Sequence, residues 1–493
     1  MRPLSALLGG TPPLTVIVLL AILVGSSPEA SGQDRGTALL NRIEQQMLDE
    51  EIDRRLADHR GQTFGEKLTL DYGASLRFGW AKLDDANFNP YGLRQYEANV
   101  YMQATAGGGH KVFGNLRFLY SQYYNSDNPN NGYLDPIGNR YWYQFDLGDW
   151  QRANEGTAGP FDFNIRAGRQ FITWNSGLVW SNDIYGAKMQ ASWEAFSFES
   201  VVGVSARSGL YDFDTSRPNF DTDTNRHVWG IRGQYEISPE LSPFVSYFVQ
   251  QDRNNDSRIL PPPFGVMEFG YDSQYLSFGT DGSIGNQFLY TLEICHESGT
   301  GYSRPAINPA TGLGYQTQGQ IDAWAGILNM VYLLRDDQLT RFEMTLGFGT
   351  GDDKRLASSS TAGAPPPTSP NDNQFNSLGY VNTGLALAPS MSNLLMARVG
   401  ASTGIPINPR RPDDLRIGTD FFLLGKATTD APISAPSTLS RYVGWECDFR
   451  VDWRITSDVS FNFRYGLFVP NGGNPEPIDQ VRQFVYGGIS YAF

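Results

Sequence analysis

With 493 residues, the chain is long enough for two or three ordinary domains or for one large barrel. Apolar residues make up 40% and the mean hydropathy is -0.36, which excludes a bundle of membrane helices, yet Gly (53), Tyr (25), Phe (30) and Trp (10) are abundant. Such a composition is typical of transmembrane β-barrels, whose alternating strands dilute hydropathy. The formal net charge of -14 argues against nucleic-acid binding.

The N-terminal segment has the features of a secretory signal peptide. Arg2 supplies a positive charge, residues 14–24 form a short apolar run, and the small residues Ala30, Ser31 and Gly32 precede Gln33. The apolar run is too short to cross a bilayer. We therefore predict a signal peptide over 1–32 and export of the remaining chain.

The next segment predicts a helix. Between residues 36 and 60, apolar residues recur at three-four spacing with acidic residues and arginines between them, which indicates an amphipathic helix. We expect residues 33–65 to form a short periplasmic helix or packing arm with its linker. The alternative is a segment that docks onto a periplasmic partner.

From Leu68 onward the pattern changes to strands. In 441–455 the odd positions are mostly apolar and the even positions mostly charged, as in a strand with one lipid-facing and one lumen-facing side. About eighteen such segments follow one another, an even number, as a bacterial single-chain barrel requires. The sequence predicts an all-β protein, with residues 66–493 forming a transmembrane antiparallel up-and-down β-barrel.

The connections between these segments alternate in length. Tight turns are predicted at 107–110, 193–194, 238–240, 281–283, 335–337 and 456–458, and long polar loops at 123–139, 206–226, 251–272, 296–318, 350–390 and 425–440. Outer-membrane barrels have short periplasmic turns and long outside loops. The longest loop, 350–390, is expected to be mobile or folded over the mouth. The terminal strand ends in Phe493, which resembles the signal read by the barrel assembly machinery.

Strand parity predicts which charged side chains face the lumen. The basic set is Arg77, Arg117, Arg140, Arg166, Lys188, Arg232, Arg341, Arg398, Arg416, Arg450, Arg454 and Arg464. The acidic set includes Glu343, Glu446, Asp448 and Asp452. Two interpretations remain open: ion pairs that brace the wall of a plain aqueous channel, or a basic constriction that conducts an anion.

Other chemistry is sparse in the sequence. The four histidines have no metal-ligand spacing, so we predict no metal and no cofactor. An outer-membrane enzyme using His227 or His296 is the alternative, and the acidic pair Asp352 and Asp353 is a weak candidate for calcium. By parity Cys295 points inward and Cys447 outward, which predicts no disulfide between them.

Four stretches resemble the alginate export family of outer-membrane porins. They are RAGRQ at 166–170 followed by GLVW at 177–180 and DIYG at 183–186, TGDDK at 350–354 followed by FNSLGY at 375–380, VGWECD at 443–448, and YGLFVP at 465–470. The resemblance implies an eighteen-stranded barrel with an arginine-rich constriction that passes a polyuronate outward. It also assigns Arg169 and Arg464 to the constriction. Arg169 has the opposite parity to Arg166, so it needs a β-bulge or a rim position to face the lumen.

Together these observations predict a non-enzymatic porin in the outer membrane of a Gram-negative-type bacterium. The expected solute is an anionic polysaccharide, such as an alginate-like polyuronate, or a small acidic solute, with export as the expected direction. The alternative is a general-diffusion or uptake porin with an ion-paired lumen wall. The expected partners are the lipid bilayer, the assembly machinery through the Phe493 strand, and a periplasmic partner of residues 36–60.

Overall fold

The computed structural model describes residues 35–58, 62–64, 68–84, 90–124, 132–206, 212–218, 220, 224–407, 414–434, 440–471 and 480–493. The predicted signal peptide, 1–32, lies outside the described residues. No described helix is both long enough and apolar enough to cross a bilayer.

Eighteen long strands form the wall of the protein. The main sheet holds twenty strands, of which Gln62–Phe64 and Asn371–Asp372 are short additions. The others are β1 Leu68–Asp84, β2 Pro90–Ala106, β3 His110–Tyr124, β4 Gly132–Asp146, β5 Phe161–Thr173, β6 Ser181–Trp193, β7 Phe196–Ser205, β8 Arg226–Tyr235, β9 Ser242–Asp252, β10 Tyr271–Ile284, β11 Phe288–Tyr302, β12 Gln318–Leu333, β13 Arg341–Gly349, β14 Leu394–Ile405, β15 Leu415–Lys426, β16 Tyr442–Arg454, β17 Val459–Pro470 and β18 Arg482–Ala492.

Each of these strands pairs antiparallel with the next one in the chain, and β18 pairs back onto β1 from Ser75↔Ala492 to Lys82↔Val485. Phe493 completes this seam, because its backbone N–H and C=O both bond to Ala74 at 2.9 Å. The ladder has no free edge, so the predicted closed eighteen-stranded barrel is confirmed.

The alternation along the strands separates the two faces of the wall. On β1, Leu76 and Phe78 are exposed on the outside, whereas Arg77 between them contacts Tyr486 inside the barrel. On β16, Phe449 and Trp453 are likewise exposed on the outside. A closed barrel satisfies its backbone hydrogen bonds internally and presents apolar side chains to lipid. The chain is therefore an integral protein of the outer membrane, as predicted.

Short turns join the strands at one end of the barrel and long loops join them at the other. The turn after β10 lies at 285–287 rather than at the predicted 281–283. Its position is set by Gly285 and Asn286, which both have positive φ (60° and 57°), a left-handed conformation that reverses the chain. The strand β11 also continues to Tyr302, so the loop predicted from 296 begins later.

Two helices accompany the barrel. Helix α1 spans Arg35–Asp58, within the segment predicted to be helical. Helix α2, Leu147–Glu155, fills the turn between β4 and β5. The Asp146 side chain accepts a hydrogen bond from the Asp149 N–H at 2.8 Å, and Gly156 ends the helix at φ 84°.

The loops add small elements. A 3₁₀ turn lies at Thr361–Gly363, and two short hairpins pair Ser257–Ile259 with Val266–Glu268 and Ala306–Ile307 with Gly314–Tyr315. The 350–393 connection does not lie only across the mouth, because Phe375, Leu378 and Leu387 join a buried cluster with inward side chains of the wall such as Phe248 and Phe422. It therefore folds into the barrel.

Candidate functional site

Helix α1 lies inside the barrel, and its apolar side chains contact the inner wall. Leu40 and Ile43 are buried in a cluster with Leu83, Leu93 and Tyr486, near the loop end of the strands. This cluster fixes the first half of the helix at the mouth.

The second half of α1 packs near the turn end. There Leu48 and Ile52 are buried with Tyr101 and Phe113. The helix has 24 residues, which at 1.5 Å per residue gives a length of about 36 Å. It therefore runs along the lumen from the mouth towards the turns.

Polar contacts hold the same helix to the wall. Arg42 donates to the Ser181 hydroxyl at 2.7 Å and lies 4.0 Å from the centre of the Tyr380 ring. Asp49 forms an ion pair with Arg140. These contacts place the helix in the lumen, whereas the sequence predicted a periplasmic helix or a packing arm. The physical reason is that its polar face matches a polar inner wall, and the pattern of a single helix does not show that complementarity.

Inward carboxylates anchor the 350–393 loop. Glu446 is fully buried and accepts hydrogen bonds from the backbone N–H groups of Leu385 (2.6 Å), Ala386 (2.6 Å) and Leu387 (3.0 Å). Asp448 accepts another from Leu385 at 3.1 Å. These two acidic residues, predicted to line the pore, instead contact protein backbone.

Glu297 also anchors the 350–393 loop, and Glu293 anchors another connection. Glu297 accepts from the Asn376 N–H and from the Tyr271 hydroxyl, both at 2.8 Å. Glu293 accepts from the Asn175 amide at 2.9 Å and from the Ser176 N–H at 3.2 Å, which holds the 174–180 connection inside the barrel. Strand parity in the sequence also turns Glu293 inward. It missed Glu297, because that residue lies in the segment predicted as a loop from 296, whereas the strand continues to Tyr302.

A network of charges lines the wall formed by β13–β16. Arg398 lies 2.6 Å from both Glu343 and Asp420, Arg450 lies 2.9 Å from Asp420, and Arg341 lies 2.9 Å from Glu343. Predicted basic and acidic lumen residues therefore meet each other here. Such short, charge-assisted contacts satisfy most of the charge within the wall.

Most other predicted basic residues also have an acidic partner. The nitrogen–oxygen distances are 3.0 Å for Arg117–Glu97, 3.1 Å for Lys188–Glu199, 2.8 Å for Arg232–Asp281, 2.6 Å for Arg464–Asp452 and 3.9 Å for Arg454–Asp414. Arg416 donates to the Leu339 carbonyl at 2.6 Å, and Arg77 contacts Tyr486 and Met47.

Arg166 and Arg169 differ from this pattern and from each other. The Arg166 guanidinium donates twice to the Gln144 side chain, at 2.8 and 2.6 Å, and lies 4.2 Å from the Trp142 ring. Arg169 is buried, is paired in register with Tyr141 and Tyr185, and contacts the Tyr185 hydroxyl at 3.2 Å. The register is continuous through both residues, so the bulge that would turn Arg169 towards Arg166 does not form.

Outside the membrane, a charge cluster ties residues 212–218, which follow β7, to neighbouring segments. Arg217 lies 3.1 Å from each of Asp212, Asp252 and Asp256. Burial raises the pKa of Asp256, and the nearby Arg217 partly offsets this increase. Sequence analysis predicted this segment only as a polar loop.

A cavity of about 430 Å³ separates α1 from the wall formed by β2–β5. Its lining includes Ile52 and Asp53 from the helix, and Asn115, Trp142 and Arg166 from the wall. It is the place where polar side chains of the inner wall face open space beside the helix.

Among the residues that the structure describes, no catalytic group is brought together around a histidine. His296 lies 3.0 Å from Asp322 and 4.5 Å from the Trp324 ring on the outer face of β11, because its neighbours Cys295 and Glu297 point inward. Within the described ranges no three His, Cys, Asp or Glu residues are placed to hold a metal ion. Cys295 and Cys447 are both free, as predicted.

No protein-family model matches the sequence, and no curated protein matches it. The resemblance to the alginate export family therefore stays a prediction. Among solved structures, the chain is similar to OpdL of Pseudomonas aeruginosa, with 11% identity, coverage of 86% of this chain and 98% of that one, and a TM-score of 0.49. It is also similar to OccAB4 of Acinetobacter baumannii, with 9% identity, coverage of 87% and 99%, and a TM-score of 0.48. These similarities are too distant to indicate a substrate.

Proposed function

We propose that this protein is a passive outer-membrane channel for small hydrophilic solutes, with an ion-paired lumen wall. The observation that carries the proposal is the network of Glu343, Arg398, Asp420 and Arg450, in which acids and bases of neighbouring strands neutralise each other. A barrel of eighteen strands is wide enough for an aqueous channel, and a braced ionic wall keeps it open and polar. This is the uptake or general-diffusion alternative, in which the solute gradient sets the direction of flow.

An anionic polysaccharide is less well supported as the solute. A polyuronate needs a succession of guanidinium groups that are free to bind its carboxylates. In the network, Arg398 and Arg450 are already bound to carboxylates of the wall. Helix α1 and the 350–393 loop also occupy much of the lumen, which favours a small solute over a chain.

Planar-bilayer recordings of the full-length protein under a KCl gradient test this proposal. The wild-type channel is expected to show a weak ion preference, because its wall charges are paired. Asp420→Asn removes the acid shared by Arg398 and Arg450, so the reversal potential should shift towards anion selectivity. Arg450→Gln should shift it towards cations. Both shifts follow from fixed lumen charge.

Heat-modifiable migration on gels serves as the control that each variant forms a barrel. A strong anion preference of the wild-type channel that both variants leave unchanged would contradict the ion-paired wall and favour polyuronate export. Absence of any channel from well-folded protein would remove the proposed function itself.

A further inference from the structure

The cavity between α1 and the wall has one apolar side. Phe113 and Trp142 stack there with ring centres 5.3 Å apart and planes 20° from parallel. Ile52 and Leu56 of the helix line the same cavity. The volume of about 430 Å³ is within the range of small-molecule sites.

Charged side chains line the rest of the cavity, and most of them are paired. Lys111 lies 2.9 Å from Asp149, and Arg140 forms its ion pair with Asp49. The remaining two form no ion pair with a described residue, although they lie close enough for Asp53 to attract Arg166 electrostatically. They are Arg166 on the wall, which bonds only to the neutral Gln144, and Asp53 on the helix, which is exposed to the lumen.

Arg166 and Asp53 therefore present opposite charges to one cavity without forming an ion pair with each other. The Arg166 guanidinium carries five N–H donors in a planar fork, and Gln144 engages only its Nε and one terminal nitrogen. The second terminal nitrogen is available to a carboxylate.

Asn115 provides a second indication of a ligand. Its side chain is 3% exposed and lines the cavity, yet its carbonyl oxygen accepts no hydrogen bond from the described residues. Buried acceptors are usually satisfied, so a donor from a bound molecule would complete this site.

From this arrangement we propose that the cavity binds an α-amino acid with an apolar or aromatic side chain. Its carboxylate binds Arg166, its ammonium group binds Asp53 and the Asn115 carbonyl, and its side chain packs on Phe113 and Trp142. This rests on the proposed function in one respect, since the amino acid would be a solute of the channel. The two charges that form no ion pair and the aromatic side of the cavity together define this class of solute.

Calorimetric titration of the full-length, detergent-solubilised protein tests the proposal with three probes. L-phenylalanine carries both charges, 3-phenylpropionate lacks the ammonium group, and 2-phenylethylamine lacks the carboxylate. Each charge-assisted contact is expected to change affinity by about tenfold or more, so phenylalanine should bind at least that much more tightly than either of the other probes.

Substitutions assign the two contacts. In Arg166→Gln, phenylalanine should bind no more tightly than 2-phenylethylamine binds the wild type. In Asp53→Asn, phenylalanine should bind no more tightly than 3-phenylpropionate binds the wild type. The matched control is Lys111→Gln, since this side chain lines the same cavity but its charge is already paired with Asp149, and it should change the affinity by less than about threefold.

Equal affinity for the three probes, or no binding of phenylalanine, would overturn the site. If a variant does not form a barrel, the discrimination among probes by the wild-type protein still decides the question. Open channels without phenylalanine binding contradict the site alone. Binding without channels contradicts the channel function alone.

Discussion

Two parts of the inner wall use the same residue types in different ways. On β13–β16, Glu343, Arg398 and Asp420 are bonded to one another across neighbouring strands. On β3–β5, Asn115 and Arg166 have no charged partner on the wall and face helix α1 across a cavity. The first part is complete in itself, whereas the second is open to another molecule.

The difference teaches that an inward charge has no fixed role. Arg398 and Arg166 are both lumen-side arginines on barrel strands, but the first meets two carboxylates and the second meets only an amide and an aromatic ring. A paired arginine stabilises the wall, and one without an acidic partner is available to a solute. Which case applies depends on the neighbouring strands and on what lies inside the barrel.

Removing α1 should produce the largest change, because it turns the open part of the wall into bare lumen. A helix with side chains is about 10–12 Å across, so deleting residues 33–58 should increase single-channel conductance severalfold. Bilayer recordings of the deleted and full-length chains measure this. The control is Gln45→Ala, which loses only two contacts of 3.4 Å, to Asn139 and Asp183, and keeps the helix. Equal conductance of the deleted and full-length chains would show that the helix does not obstruct the pore.

Breaking the ion-pair network of β13–β16 should make the barrel less stable to unfolding. Arg398→Met leaves Glu343 and Asp420 with fewer partners in a largely buried network, and we expect the free energy of unfolding to fall by about 3–5 kcal/mol. Urea-induced unfolding in detergent, followed by tryptophan fluorescence, measures the change. Arg341→Met is the control, since its side chain is 40% exposed and the loss should be much smaller. Equal losses for the two variants would mean that burial does not set the strength of the network.

Much of the barrel could be predicted from the sequence. Period-two alternation identifies strands because successive side chains point to opposite sides, and the alternation of short turns with long loops fixes their order. The misplaced turn at 281–283 shows the limit of this reasoning. Asp281 and Ser283 suggest a turn by their polarity, but the left-handed conformations of Gly285 and Asn286 determine where the chain reverses.

The contents of the lumen could not be predicted in the same way. Helix α1 has a helical pattern, but only its contacts with side chains such as Arg140 and Tyr101 place it inside the barrel. Parity turned Glu446 inward, yet its partners are backbone N–H groups that carry no signal in side-chain type. Partners of this kind are distant in sequence, so local patterns do not contain them.

Glu446 neither joins the ion-pair network nor lines the cavity beside α1. Replacing it tests whether an inward carboxylate can instead hold a loop in place. Glu446→Gln keeps the shape of the side chain but removes the charge that accepts three backbone hydrogen bonds. We expect a loss of about 1–3 kcal/mol and more frequent transient openings or closures in bilayer recordings, because the loop is released. Asp452→Asn is the control, as its partner Arg464 is a side chain of the wall and not the loop. Unchanged stability and gating would indicate that other contacts hold the loop.

The pair of Lys188 and Glu199 gives the smallest expected effect and sets the scale for the comparison. These side chains are joined at 3.1 Å but retain 24% and 16% exposure, so water and salt screen them more than the buried part of the network. A double-mutant cycle with Lys188→Met and Glu199→Gln should give a coupling energy of about 0.2–1 kcal/mol that decreases with added salt. A coupling as large as that between Arg398 and Asp420 would show that the lumen strengthens every ion pair regardless of exposure. The paired and open parts of the wall would then differ only in which residues they contain, and not in how strongly those residues interact.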